Sequence, residues 1–184
     1  VGGLLAMGGL LLPIYIAPFM LLATLIAVWL LPTPDQQRHH ETQRLAWGDP
    51  RVMPFLIAGG VMFLGLALVE IIMGFLVQDR LGLSNKETAM VVAIAGVLIG
   101  VGFAGTQALI SPRVPGGPRA LIIAGSLIAA LGYGGAIFAP TLATLLPTML
   151  VIAIGLGLAV PGFNAGATLA VEATEHAAVA GQLA

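Results

Sequence analysis

The sequence lacks cysteine and is poor in charge. The absence of cysteine excludes a disulfide framework, a thiolate nucleophile and a cysteine metal site. Seven Lys or Arg and eight Asp or Glu make 15 charged residues among 184, with a net charge of −1. An average soluble domain of this length would carry about 25%, roughly 46. A nearly neutral chain has no basic surface for nucleic acid, so no nucleic-acid partner is expected.

The charges mark the ends of long apolar intervals. Fourteen of the 15 fall in four clusters, at 35–51, 79–87, 113–119 and 172–175, and Glu70 is the exception. A helix crosses a hydrocarbon core of about 30 Å with about 20 residues. Runs without period-2 alternation cross it as helices rather than as barrel strands. We therefore predict an all-α polytopic membrane protein with five full transmembrane helices plus part of a sixth. The predicted spans are 13–31, 54–77, 88–110, 120–139 and 142–168, with 1–10 as the partial one.

Local signals set the boundaries of these spans. Asp49 before Pro50 predicts that the second full helix begins near Pro50. Ser84 and Glu87 have the spacing of a capping box before the third helix. The turn at 140–141 is short enough to make the fourth and fifth helices antiparallel neighbours.

The only long connection, 32–53, is polar and is predicted to link two units. By alternation of the spans, it lies on the same side as the 111–119 loop. These two segments hold five arginines, whereas the other side holds Arg80 and Lys86. The excess of positive charge favours a cytoplasmic position for the linker. The five arginines are Arg38, Arg44, Arg51, Arg113 and Arg119.

Glu70 is the one charged residue inside a predicted span. Hydrocarbon disfavours the charged carboxylate, so Glu70 must be protonated, find a partner or face a wet cavity. Phe63, Ala67 and Gly74 share its helical face, which is otherwise mostly small. This pattern favours a wall of a substrate or proton path. A hydrogen bond to a neighbouring helix, or a neutral position beside lipid, are the structural alternatives.

Other intramembrane features are compatible with packing as well as with function. Gln107 and Asn164 are candidates for the path, although each is as well explained by a bond between helices. Gly155, Gly157 and Pro161 predict a kinked fifth span that could take part in gating. Two series of small residues at three- and four-residue spacing predict close helix contacts. They are Gly96, Gly100 and Ala104 in one span, and Gly125, Ala129, Gly132 and Ala136 in the next.

Several stretches together resemble the middle of a major facilitator superfamily transporter. The resemblance rests on Gly2–Leu5, Trp29–Pro32, Gly74–Ser84, Gly155–Pro161 and Ala178–Ala184, and it covers nearly the whole chain. It is greatest to the bacterial drug-proton antiporter branch. On that register the chain runs from the end of the fifth helix through the tenth. Because it also opens on valine rather than methionine, we expect a piece of a longer transporter whose remainder completes the bundle.

The resemblance implies a mechanism of alternating access between two six-helix halves around a midplane site. Residues 1–31 would end the first half, 32–53 would be the cytoplasmic linker, and 54–184 would begin the second half. The implied activity is proton-coupled efflux of small lipophilic or cationic compounds across the bacterial cytoplasmic (inner) membrane. A proton gradient rather than a cofactor would supply the energy. Arg113 and Arg119 occupy the place of the family's cytoplasmic loop motif, but the aspartate of that motif has no counterpart.

Three other classes of function are alternatives to efflux. Uptake of a sugar or another small metabolite would use the same fold. A structural or receptor-like bundle would have no cavity. A membrane-embedded enzyme would need converging catalytic groups, but the three histidines lie in the linker or the tail and no pair of intramembrane carboxylates occurs. We therefore predict no enzyme activity and no metal site; the expected partners are lipid, a small-molecule substrate and the rest of the chain.

Overall fold

The computed structural model describes residues 12–30 and 45–183, and all of their regular structure is helical. The predicted partial span 1–10, most of the linker and Ala184 lie outside the described residues. The six α-helices are α1 Leu12–Leu30, α2 Met53–Leu81, α3 Asn85–Gly105, α4 Gly117–Phe138, α5 Leu142–Leu169 and α6 His176–Leu183. A π-helical turn, Thr106–Ile110, and a 3-10 turn, Ser111–Arg113, continue α3, and a second 3-10 turn, Ala173–Glu175, precedes α6. The all-α prediction is confirmed.

Four helical segments of the described chain are long and apolar enough to cross a membrane: Met53–Leu81, Asn85–Arg113, Gly117–Phe138 and Leu142–Leu169. They correspond to four of the five predicted spans. The remaining predicted span, 13–31, forms α1, a helix of 19 residues. Its helical conformation is confirmed, and its crossing of the membrane stays a prediction.

Helix α2 begins within one residue of the predicted span 54–77 and extends beyond its end. It begins at Met53 rather than near Pro50, because Asp49 caps a separate turn. The Asp49 carbonyl oxygen accepts from the amides of Val52 and Met53, and its carboxylate accepts from the Arg51 amide at 2.9 Å. At the other end α2 continues to Leu81, so residues 79 and 80 belong to its last turn rather than to a loop.

Local capping fixes the connection from α2 to α3. Gly82 ends α2 in the left-handed region, at φ 61°, and its amide donates to the Gln78 carbonyl oxygen. Ser84 then begins α3 with the predicted capping box: its amide donates to Glu87 Oε2 at 2.9 Å, and the Glu87 amide donates to Ser84 Oγ at 3.4 Å. The loop between these two long helices is therefore only three residues long.

The predicted contact between α4 and α5 is confirmed. A Cβ atom added to Gly125 would lie 2.5 Å from the Gly155 carbonyl oxygen, and one added to Gly132 would lie 2.6 Å from Ile152 Cγ1. Ala129 is buried between them, next to Gly155. The backbones of the two antiparallel helices therefore touch, which only small residues permit.

No described residue covers the small-residue face predicted as a contact surface on α3, so its role stays a prediction. Gly96, Gly100 and Ala104 are exposed, and a Cβ at either glycine would have no atom within 4 Å. The face that packs on α5 contains Gly102, where an added Cβ would lie 2.7 Å from Leu150 Cδ1. The four-residue spacing identified a face of small residues, but it carried no information about which face meets α5.

Candidate functional site

The predicted path-lining face of α2 is open in the described structure. Phe63, Ala67 and Glu70 are exposed, and Gly74 is half-buried with space for a Cβ. The buried residues of α2 include Val77, which at about 100° per residue lies only about 20° from Glu70 around the helix. Glu70 therefore lies at the boundary between the open face and the side of α2 that packs on the bundle.

Phe63 ties this face to α5. Its ring meets the ring of Phe163 edge to face, with centroids 5.9 Å apart and an interplanar angle of 75°. Gly59 makes the approach possible, because an added Cβ would lie 3.1 Å from Phe163 Cε2. Asn164, the next residue along α5, is exposed, and only its carbonyl oxygen has a partner outside the helix ladder, the Thr168 hydroxyl at 2.9 Å. The open face of α2 thus borders an exposed amide on α5.

Glu70 lies well inside α2. It is 11 residues before Leu81, the end of the helix, which is about 16 Å along the axis at about 1.5 Å per residue. The last turn carries Asp79 and Arg80, so the predicted depth of about 10 Å below the membrane interface stays a prediction. Among the described residues, no side chain makes a hydrogen bond or ion pair with the Glu70 carboxylate. The alternative of a structural bond to a neighbouring helix therefore has no donor in this part of the chain.

Gln107 lies on a different part of the bundle. It is half-buried in the π-helical turn at the end of α3, next to Thr106, which is buried. Thr106 packs on α5, where a Cβ added to Gly157 would lie 2.7 Å from Thr106 Cβ. No side-chain hydrogen bond among the described residues joins Gln107 to Glu70 or Asn164.

The residues predicted to bend α5 lie where it touches other helices. Gly155 meets α4, and Gly157 meets α3 through Thr106. The helix continues through Pro161 to Leu169, although proline removes one backbone hydrogen bond. Both glycines thus have a packing role in the described structure, and the predicted role in gating stays a prediction.

The loop between α3 and α4 holds the two predicted arginines. Arg113 donates from Nη1 to the Leu109 carbonyl oxygen, which caps the end of the α3 segment. Arg119 is exposed in the first turn of α4. Gly116 and Gly117 turn the chain between them with φ values of 101° and 71°. Neither arginine forms an ion pair with a described residue.

Sequence reasoning missed an ion-pair cluster at the same end of the bundle as the linker. Arg51 lies just before α2. Its Nη2 atom is 2.8 Å from Asp49 Oδ2 and 2.9 Å from Glu175 Oε1. A second bond, Nη1 to Glu175 Oε2 at 3.2 Å, makes the contact with Glu175 bidentate. Hydrogen bonding to the Arg51 guanidinium lowers the pKa of Glu175 and of Asp49, and the two carboxylates raise the pKa of Arg51.

A small apolar core lies next to the Arg51–Glu175 pair, whose arginine is exposed. Val52, Ala167 and Val179 are fully buried together, so the start of α2, the end of α5 and α6 form one small core. The Gln182 amide donates to the carbonyl oxygen of Leu45 at 3.3 Å. The last residues of the linker are therefore attached to the segment that follows α5. Alternation of the spans predicts that the segments containing Arg51 and Glu175 lie on the same side of the membrane. It does not predict that they touch.

Within residues 12–30 and 45–183, no three His, Asp or Glu side chains come together as metal ligands. The features that stand out are an open carboxyl-bearing face on a membrane-length helix and a charged cluster at the linker end.

Comparison with known protein families covers the whole chain. A family model described as Major Facilitator Superfamily matches residues 1–184. The chain belongs to the major facilitator superfamily. Searches among characterised proteins and among solved structures found no match.

Membership in the major facilitator superfamily confirms the resemblance at the level of the family. Together with the four membrane-length helices, it makes the protein an integral membrane protein in contact with bilayer lipid. The protein is a membrane transporter, and the predicted class of function is confirmed at that level.

Proposed function

We propose that this protein is a secondary active transporter that exports small lipophilic or cationic compounds in exchange for protons. The observation that carries the proposal is the Glu70 carboxyl, which has no partner among the described residues and lies on an open face of α2. A carboxyl at membrane depth that faces neither a structural partner nor bulk water is typical of proton and substrate paths. The apolar neighbours on the same face suit a lipophilic solute.

Glu70 would act by exchanging a proton for a cation. The ionised carboxylate attracts a cationic substrate, and protonation from the acidic side removes that attraction and releases it. Phe63 and Ala67 would supply apolar contact to the body of the substrate, and Asn164 on α5 would supply an amide. Gly74 leaves room on the same face, and Gln107 at the end of α3 is a further polar group for the path.

Alternating access would arise from two six-helix halves, of which residues 54–184 begin the second. In this proposal, residues 1–31 end the first half, and the linker 32–53 is cytoplasmic, in a bacterial inner membrane. Helices α2 and α5 would line the shared cavity, which agrees with the open face of α2 beside Phe163 and Asn164. Gly155, Gly157 and Pro161 would allow α5 to bend, and Arg113 and Arg119 would lie at the cytoplasmic gate.

Transport by full-length protein carrying Glu70→Gln tests the role of the carboxyl. We expect the pH dependence of lipophilic-cation transport in inverted membrane vesicles to disappear and the rate to fall at least about tenfold. Asp79→Asn is the matched control, because Asp79 is also exposed on α2 and has no ion pair among the described residues. Unchanged pH dependence and substrate range in Glu70→Gln would contradict the proposal, and proton-driven accumulation in the opposite direction would show uptake instead.

These 184 residues contain no cysteine, so an introduced cysteine is the only one in this part of the protein and makes the orientation testable. Single-cysteine variants at His39 in the linker and at Lys86 in the loop between α2 and α3 would be labelled in intact cells with a membrane-impermeant maleimide. We expect labelling at position 86 and none at position 39 until the membrane is made permeable. The reverse pattern would place the linker outside the cell.

A further inference from the structure

The described helices enclose a second feature, an apolar cavity of about 370 Å³ between α2, α4 and α5. Its walls are almost entirely apolar and include Ile72, Ala136 and Met149, one from each helix. The volume is within the range of about 300–1,000 Å³ that is typical of ligand pockets. Its lining includes the exposed side chains of Leu68, Ile72 and Ile137, so the cavity opens to the surface of the described helices.

This cavity is separate from the open face that contains Glu70. At about 100° per residue, Ile72 and Leu76, which line the cavity, lie nearly half a turn from Glu70 and Gly74. The cavity therefore lies on the opposite side of α2 from the proposed transport path. A ligand in the cavity would touch α2 without occupying the path, so the inference goes beyond the proposed function.

A single cation closes one end of the cavity. Arg80, in the last turn of α2, lines it and donates from Nη1 to the Ile137 carbonyl oxygen of α4 at 2.6 Å. This bond fixes the guanidinium across the mouth while leaving other N–H groups free to donate. Within the described part of the chain the guanidinium has no carboxylate within ion-pair distance, because the ion pairs found there involve only Arg51. The adjacent residue, Asp79, is exposed and lines a neighbouring pocket together with Arg80, so the guanidinium is available to a ligand while its charge is partly offset.

The cavity is long enough for an alkyl chain that spans one leaflet of a membrane. Its lining extends along α2 from Gly65 to Arg80, about 22 Å at about 1.5 Å per residue. Half of a hydrocarbon core of about 30 Å is about 15 Å. Polar groups in the walls are few: the Tyr133 hydroxyl is buried against Gly65, where an added Cβ would lie 3.1 Å from Oη. The body of a ligand must accordingly be apolar over most of its length.

We propose that this cavity binds one alkyl chain of an anionic amphiphile whose head group is held by Arg80. The apolar walls take the chain, and the fixed guanidinium takes a carboxylate or phosphate at the membrane surface, where charge-assisted bonds are strongest. A free fatty acid and an anionic phospholipid share this chemistry. The bound chain packs between α2 and the α4–α5 pair and stabilises their contact at this end of the bundle.

Photolabelling of full-length protein in phosphatidylcholine nanodiscs tests the proposal. The probes are diazirine derivatives of palmitic acid, of phosphatidylglycerol and of the uncharged palmityl alcohol, and the labelled peptides are identified by mass spectrometry. We expect anionic probes to label the cavity segments of α2, α4 and α5 preferentially. Labelling by the acid alone or by the phospholipid alone identifies the source of the chain, and either result supports the proposal.

Matched substitutions separate the chain from the head group. Ala136→Phe fills the cavity and should reduce labelling there about tenfold, whereas Ala104→Phe, at an exposed position on α3, should leave it unchanged. Arg80→Gln should weaken labelling by the anionic probes about tenfold, the effect of one lost charge-assisted bond, without affecting the alcohol. Lys86→Gln removes a charge from the same end of the bundle and serves as its control.

Several outcomes would overturn the proposal. Labelling that is spread evenly over the exposed apolar surface and is unaffected by Ala136→Phe would show ordinary lipid contact. Unlabelled cavity segments beside labelled outer surfaces would show that polypeptide fills the space. If Ala136→Phe does not fold, Leu68→Trp fills the cavity from the half-exposed wall on α2. Glu70→Gln should leave labelling unchanged, so failure of the transport proposal and of this one are distinguishable.

Discussion

Helices α5 and α2 are both long and apolar, but they are held in different ways. Half of the most apolar stretch of α5 is buried, against 11% in α2. Helix α5 touches α3 and α4 through backbone at glycine positions. Helix α2 is held by side chains: the Arg51–Glu175 pair at its start, the Phe63–Phe163 ring contact along its length and the Arg80–Ile137 bond at its end.

This difference indicates which contacts can change during transport. Backbone contact at glycine leaves no room for a helix to move without separating from its neighbour. Side-chain contacts can break and re-form with small changes of rotamer. In our interpretation, α3, α4 and α5 are the fixed part of the unit, apart from the bend proposed for α5 at Pro161, and α2 is the element that can move against it. The open carboxyl-bearing face belongs to the element that can move.

The largest expected effect comes from breaking the backbone contact of α5. Gly155→Leu would place a side chain against Ala129 and the Gly125 carbonyl oxygen, and the clash with backbone should cost about 3 kcal/mol of unfolding free energy, the upper end of the usual range for overpacking. We expect no monodisperse protein in detergent by size-exclusion chromatography. Gly96→Leu, at an exposed α3 position with no atom within 4 Å of a Cβ, is the control and should purify normally. Equal yields of the two variants would contradict the comparison.

An intermediate effect is expected from the ion pair at the start of α2. Because bonding to Arg51 lowers the pKa of Glu175 in the folded state, its contribution to stability is present above the unfolded value of about 4.3 and is lost as the pH falls through the lowered folded value. Glu175→Gln should lower the unfolding temperature by several degrees at pH 7 and flatten its dependence on pH in the acidic range. Thermal unfolding followed from pH 3 to pH 7 measures both.

Asp79→Asn is the control for this experiment, since it removes a carboxylate at the opposite end of α2 that has no ion pair among the described residues. It should leave the acidic pH dependence as in the unmodified protein. A steep loss of stability on acidification that persists in Glu175→Gln would mean that other carboxylates are responsible.

The fold was largely predictable because hydrophobic length and local capping act within short segments. Ser84 and Glu87 set the start of α3, and the small residues Gly125 and Ala129 identified a real contact surface. At Gly96 and Gly100 the same signal finds no neighbour among the described residues, because spacing selects a face of a helix without naming its neighbour. The charge pattern also places the end of α2 too early, since Asp79 and Arg80 extend the last turn although charged residues are typical of a loop.

The candidate site was only partly predictable. Glu70 stood out because a carboxylate in an apolar run has a high cost, and the helical period identified Phe63 on the same face. The Arg51–Glu175 pair could not be foreseen, since it joins residues 124 positions apart. The contact of Phe63 with Phe163 and the cavity behind α2 depend in the same way on how helices cross, which the sequence of one helix does not determine.

The smallest expected effect concerns Tyr133, a residue of α4 at its contact with α2. Its hydroxyl is buried without a hydrogen-bond partner among the described residues, against Gly65 of α2. Such a group costs about 1–3 kcal/mol when it is buried unpaired, so Tyr133→Phe should raise the unfolding temperature slightly in the resting state. Movement of α2 during transport would let the Tyr133 hydroxyl gain a hydrogen-bond partner. Tyr133→Phe would then also slow transport, because the substitution stabilises only the resting state. Thermal unfolding and transport rate measured on the same preparation test both effects, and a more stable variant with an unchanged rate would mean that the α2–α4 contact stays closed throughout the cycle.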